Sequence, residues 1–190
     1  MAKFLGMATL ALALAGCAGS SPVRLGPDAD VRTARAQLAQ AAGAGPVRLE
    51  INGLPRTVEG TLDRAEIERQ AARGITGLSV RFGEPPAAVG SVRLILLFDP
   101  PTAVRPEAAC MLDRLPAPAP QSDATRLHAV FCQGGTFVAD ALAPTPSRTA
   151  SEVQRLIWRT TGRLFPDDYS ETYGFDLFGR RVGVEGQAGF

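Results

Sequence analysis

The eight residues Ser91–Phe98, SVRLILLF, decide the fold. At strand spacing Val92, Leu94, Leu96 and Phe98 fall on one side, and Ile95 and Leu97 on the other. Arg93 is the only charge. A strand apolar on both sides needs cover on both faces, which places it in the middle of a sheet rather than at an edge. Pro100-Pro101 stops it, because proline brings no N–H to a ladder.

Working outward, residues 100–124 hold six prolines and show no period, so they read as one long loop. Arg126–Cys132 alternates again, with Leu127, Ala129 and Phe131 facing one way and His128, Val130 and Cys132 the other. Gln133-Gly134-Gly135 turns the chain, and Thr136–Leu142 returns as a hairpin partner. Pro144–Arg148 is a break. Thr149 with Glu152 three residues on fits a capping box, opening a helix to Leu164. Val153, Leu156, Ile157, Thr160 and Leu164 form its buried stripe.

Towards the N-terminus, Leu78–Phe82 and Val47–Ile51 read as half-buried strands. Asn52-Gly53 suits a tight hairpin turn, after which Leu54–Val58 would return along an edge that tolerates Pro55. Asp63 caps a helix over 64–73 with Gly74 as its stop, and Asp30 caps another through Ala42. Neighbouring strands with helices between them predict an α+β fold: one domain, a mostly antiparallel sheet, helices packed on one face.

The first residues tell a separate story. Lys3 precedes an apolar run, Phe4–Gly16, of thirteen residues. As a helix that run rises about 20 Å, short of a hydrocarbon core of roughly 30 Å. A positive start, a short apolar segment and small residues at its end describe a secretory signal peptide. Leu14-Ala15-Gly16-Cys17 resembles the lipobox of bacterial lipoproteins. The resemblance covers residues 1–20 only. It implies that the Cys17 thiol takes a diacylglycerol, that a signal peptidase cuts before it, and that the new amine is acylated. On that reading residues 1–16 are signal peptide, 17–29 a lipidated cysteine and flexible tether, and 30–190 the periplasmic domain. Ala18, in place of the aspartate that retains such proteins at the inner membrane, implies the outer membrane, facing the periplasm. The expected partners are the membrane, through the lipid, and an envelope protein.

Cleavage would remove the only lysine and leave 19 arginines against 19 acids. The arginines are spread, with no basic cluster beyond Arg180-Arg181, which argues against nucleic-acid binding. With Cys17 lipidated, Cys110 and Cys132 remain. An oxidising periplasm makes them a disulfide, closing a loop of about 22 residues and contributing roughly 3 kcal/mol. A buried free pair or a redox dithiol are the alternatives, though no Cys-x-x-Cys motif is present.

Groups suited to catalysis are few. His128 is the only histidine, so no multi-histidine metal site exists, and it reads as a half-buried or surface residue. Neither a Gly-x-Ser-x-Gly motif nor a P-loop occurs. Residues 167–176 concentrate carboxylates and aromatics: Asp167, Asp168, Tyr169, Glu171, Tyr173 and Asp176. Such a set would suit a ligand such as a sugar ring, or cleavage of a glycosidic bond by paired acids. The calcium-loop spacing is absent. The sequence therefore predicts an envelope lipoprotein with a binding, scaffolding or transport-accessory role and no cofactor, metal or catalytic residue. The alternative is a periplasmic hydrolase of glycan or peptide using 167–176 or His128.

Overall fold

The computed structural model describes residues 23–26, 30–85, 92–102, 104–111, 117–118 and 124–167. In chain order these form β1 (Arg24–Leu25), α1 (Val31–Ala44), β2 (Arg48–Asn52), α2 (Arg64–Gly74), β3 (Val92–Phe98), α3 (Pro106–Met111), β4 (Thr125–Gln133), β5 (Thr136–Thr145) and α4 (Ala150–Leu164). The strands make one sheet in the order β1-β5-β4-β3-β2. Among the described strands only β2 and β3 pair in parallel; β1–β5, β3–β4 and β4–β5 are antiparallel. The fold is α+β, as its element order predicts.

Strand β3 is interior, flanked by β4 and β2, and its two apolar faces are both used. On the first face Leu94, Leu96 and Phe98 lie opposite Phe131, Ala129 and Leu127 of β4. Helices α1, α2 and α4 cover this face with Leu38, Ile67, Leu156, Ile157 and Leu164, all buried. Ala139, Ala141 and Ala143 of β5 share the face, and their small side chains let α4 lie close to the sheet. Just past α4, Phe165 stands edge-on to Phe131, ring centroids 5.0 Å apart.

The second face is smaller. Ile95, Leu97, Val130, Cys132 and Phe137 form a separate cluster under Ala109 and Cys110 of α3. Cys110 and Cys132 are joined as a disulfide. Arg93 adds a second tie, donating to the Cys110 carbonyl at 2.6 Å and to Glu50 Oε1 at 3.0 Å. Three helices thus pack on one face as predicted, and the short α3 packs alone on the other.

Helix starts follow the sequence. Asp30, Asp63 and Thr149 each accept from the backbone N–H three residues on. The hydrogen bond from the Thr33 backbone holds the Asp30 carboxyl below its ordinary range. Hydrogen bonds from Gln70 and Arg69 do the same for Glu66 in the first turn of α2.

Several elements differ from expectation. Gly53 has φ +74°, as the Asn-Gly dipeptide suggests, but no hairpin follows. Turns over 56–61 follow, and β2 runs parallel to β3 instead. Two constraints favour this. Pro55 cannot donate to a ladder, and the two-sided β3 needs a neighbour on its free edge. Leu78–Phe82 contributes one bridge, Val47 to Phe82, rather than a strand. Strand β5 runs on through Pro144, past the end of β1, where it has no neighbour on that side among the described residues. Helix α3 occupies part of the proline-rich stretch read as loop. Arg24 and Leu25, read as tether, pair with Asp140 and Ala139 and close the sheet's far side.

Helices α2 and α4 meet backbone to backbone at Gly74 and Gly162. A Cβ on Gly74 would lie 2.1 Å from Thr161 Oγ1 and 2.4 Å from the Trp158 carbonyl oxygen. That carbonyl cannot withdraw without parting the helices. Gly74→Ala is therefore expected to destabilise the protein by about 2 kcal/mol, within the usual cost of overpacking. Gly43→Ala, in α1 with nothing within 4 Å of the added atom, should instead be neutral or mildly stabilising. Thermal melting of the two variants checks this; equal melting temperatures would refute the close crossing.

Candidate functional site

Two ionisable side chains are buried in the β4–β5 hairpin: His128 and Asp140. The register places His128 opposite Leu142 and Val130 opposite Asp140, so both side chains lie on the α3 face. They are nearly inaccessible, with side-chain exposures of 7% and 2%, and His128 Nε2 makes a very short hydrogen bond to Asp140 Oδ2. A carboxylate only accepts, so Nε2 carries the proton and Nδ1 is the ring's remaining polar atom.

Arg24 of β1, directly across from Asp140, donates to the same Oδ2 from Nη2 at 2.7 Å and Nε at 3.2 Å. Asp140 Oδ1 is buried with no partner among the described residues. One carboxylate oxygen thus serves both an imidazole and a guanidinium. Placing a carboxylate this deep is costly unless it is paired, and Arg24 and His128 supply the pairing.

Above this triad opens a cleft of about 310 Å³. Its polar lining includes Arg24, Arg105, Arg126 and His128, and its apolar walls include Pro100, Pro101 and Leu142. Arg105 and Arg126 are exposed and make no ion pair among the described residues. Among the described residues, Arg105 and Arg126 therefore bring positive charge to the cleft that no acid pairs with.

Its proline wall is held rigidly. Asp99, at the end of β3, has φ +46°, a left-handed conformation that aspartate tolerates better than most residues. Its N–H donates to the Arg126 carbonyl at 2.8 Å, and its Oδ1 accepts from the Arg126 N–H at 2.8 Å. Its Oδ2 accepts from Arg148 Nη2 at 2.7 Å in a buried ion pair. The turn before Pro100 is thereby bolted to the first residues of β4.

The sequence-predicted sites fare unevenly. Cys110 and Cys132 pair. Cys17, Asp168, Tyr169, Glu171, Tyr173 and Asp176 lie outside the described residues. Asp167 accepts from Thr76 Oγ1 at 3.0 Å and lines a separate hollow beside Trp158 and Arg163. That hollow belongs to the α2–α4 side, so Asp167 and His128 do not share a cavity. A further hollow, also of about 310 Å³, is lined by Arg73, Arg155 and the half-exposed Trp158. Neither hollow holds a buried ionisable group like those of the cleft.

Sequence reasoning missed Arg24, Arg105, Arg126 and Asp140. Only Asp140 carried a signal, a lone acid in the apolar run FVADALA (137–143). Among the described residues no group of three His, Cys, Asp or Glu side chains could hold a metal ion. No described helix is long and apolar enough to cross a membrane. The chain matches no protein-family model, no curated protein and no solved structure.

Proposed function

We propose that this is a lipid-anchored cell-envelope protein of the outer membrane whose domain binds an envelope component without transforming it. The observation that carries the binding half is the cleft, where Arg105 and Arg126 have no ionic partner among the described residues. Unpaired arginines converging on a concave surface favour an anionic group, which the guanidinium fork can grip with two parallel hydrogen bonds. The anchor half rests on the signal-like segment ending in Leu14-Ala15-Gly16-Cys17. A single acyl chain gives only marginal anchoring, so two or three on Cys17 would hold the domain at the bilayer without a spanning helix.

Cys17→Ser is expected to abolish fatty-acid incorporation and leave the precursor uncleaved at residue 16. Metabolic labelling with a palmitate analogue and mass measurement check this. Labelling equal to wild type would remove the anchor from the proposal.

The His128–Asp140 pair favours a second reading, a periplasmic hydrolase of glycan or peptide, because a carboxylate-oriented histidine is a standard general base. Against it, Arg24 already neutralises Asp140, leaving little negative charge to stabilise an imidazolium. Thr102 is the hydroxyl lining the cleft. Hydrolysis of envelope glycan or peptide by wild type, lost in both His128→Ala and Thr102→Ala, would establish the enzyme over the binding module.

A further inference from the structure

We infer that the arginine-lined cleft is a phosphate site, taking a phosphoester about the size of a glycerophosphate; this deepens the binding reading and rests on it. Three guanidinium groups and one imidazole line a single cavity. A carboxylate offers two oxygens and satisfies one or two arginines. A phosphate monoester offers three terminal oxygens and up to two negative charges and can engage several cations at once; a phosphodiester offers two terminal oxygens and one charge on a tetrahedral centre. The buried carboxylate of Asp140 does not repel such a ligand, because Arg24 and His128 both contact it and occupy Oδ2.

Size points the same way. A cleft of about 310 Å³ lies at the small end of ligand sites and is sufficient for a headgroup. Its proline and leucine walls suit the carbon skeleton of a glycerol rather than a bare ion in water.

Position supplies the source. Arg24 is seven residues after Cys17. Even fully extended, seven residues span only about 25 Å. If Cys17 enters the bilayer, β1 holds the cleft within that distance of the lipid headgroups. A phosphodiester on an anionic lipid is then the nearest abundant phosphate group, and a soluble phosphomonoester presents one more terminal oxygen to the same arginines.

The test is calorimetric titration of the full chain, purified in neutral detergent. The probes are inorganic phosphate, glycerol 3-phosphate, dihexanoyl-phosphatidylglycerol and dihexanoyl-phosphatidylcholine, with acetate as the carboxylate control. Saturable binding of at least one phosphate probe, weakened by salt and absent for acetate, is expected. R105E/R126E should weaken it at least tenfold, and the milder R105Q/R126Q several-fold. R159E/R163E, which removes the same charge from α4 outside the cleft, should leave it unchanged.

Preference for phosphatidylglycerol over glycerol 3-phosphate assigns the ligand to the membrane; the reverse assigns it to a soluble phosphoester; either supports the site. No saturable binding of any phosphate probe overturns it, as does acetate binding equal to phosphate or equal losses in the α4 variant. Melting temperatures of all three variants confirm folding. If phosphate is not bound yet R105E/R126E still fails to support the cell's envelope, the cleft takes another ligand. The binding reading then stands while this inference falls.

Discussion

Phe131→Ala is expected to cost about 4 kcal/mol of stability, lowering the melting temperature by roughly 10 °C. Phe131 is fully buried on the three-helix face. It lies in the central strand β4, opposite Leu94 of β3 and Ala139 of β5. Ladder hydrogen bonds on both sides hold that backbone, so the sheet cannot close over the space a removed ring leaves. Ala139 is too small to fill it from the side. The edge-on contact with Phe165 is lost as well, worth about 1 kcal/mol beyond burial. Phe165 also fixes the end of α4, its carbonyl accepting from Arg35 of α1 at 2.9 Å. Phe131→Ala and Phe165→Ala should therefore combine to less than their sum, by about 1 kcal/mol in a double-mutant cycle. Urea denaturation of the four proteins measures this. A Phe131→Ala cost below about 1 kcal/mol would show that the three-helix face is not the main core.

Local patterns made most elements legible, and pairing partners made the rest illegible. The alternation in Ser91–Phe98 identifies an interior strand because burial on both faces leaves no room for polar residues. Thr149 announces α4 because its hydroxyl accepts from the Glu152 N–H. The reciprocal half of that capping box is absent, since Glu152 pairs with Arg155 instead. In contrast, Asn52-Gly53 produces a positive φ without a hairpin. Whether a strand returns depends on a competing edge more than forty residues away, which no local pattern records. Helix α3 did leave a trace: Pro106 occupies its first position, where a missing N–H costs nothing. Six residues give too short a period to read against five neighbouring prolines. The cleft was hidden for the same reason as the parallel pair. Arg24, Arg105 and the β4 pair Arg126 and His128 come from three stretches of chain, and only the order β1-β5-β4 brings the first beside the last.

Replacing Cys110 and Cys132 together by alanine is expected to cost about 3 kcal/mol and to loosen the cleft before it unfolds the sheet. The bridge spans 22 residues, and in the chain-entropy model a loop of that size contributes roughly that much through the unfolded state. Its native-state effect is more local. Helix α3 has six residues and cannot persist as an isolated helix. What holds it is the disulfide, burial of Pro106 and Ala109, and the Arg93 bonds to the Ala109 and Cys110 carbonyls. Without the bridge, the guanidinium of Arg93 and two small buried side chains remain. Arg105 and Pro106, which line the cleft, are continuous with this helix. Amide exchange should therefore rise over 104–111 while β3, β4 and β5 stay protected, and affinity of the cleft for phosphate should fall in the same variant. Restoring only van der Waals bulk, with Cys110→Val and Cys132→Ala, should recover part of the stability but not the slow exchange of α3. Exchange rising equally across all three strands would mean that the disulfide holds the whole sheet together rather than one wall of the cleft.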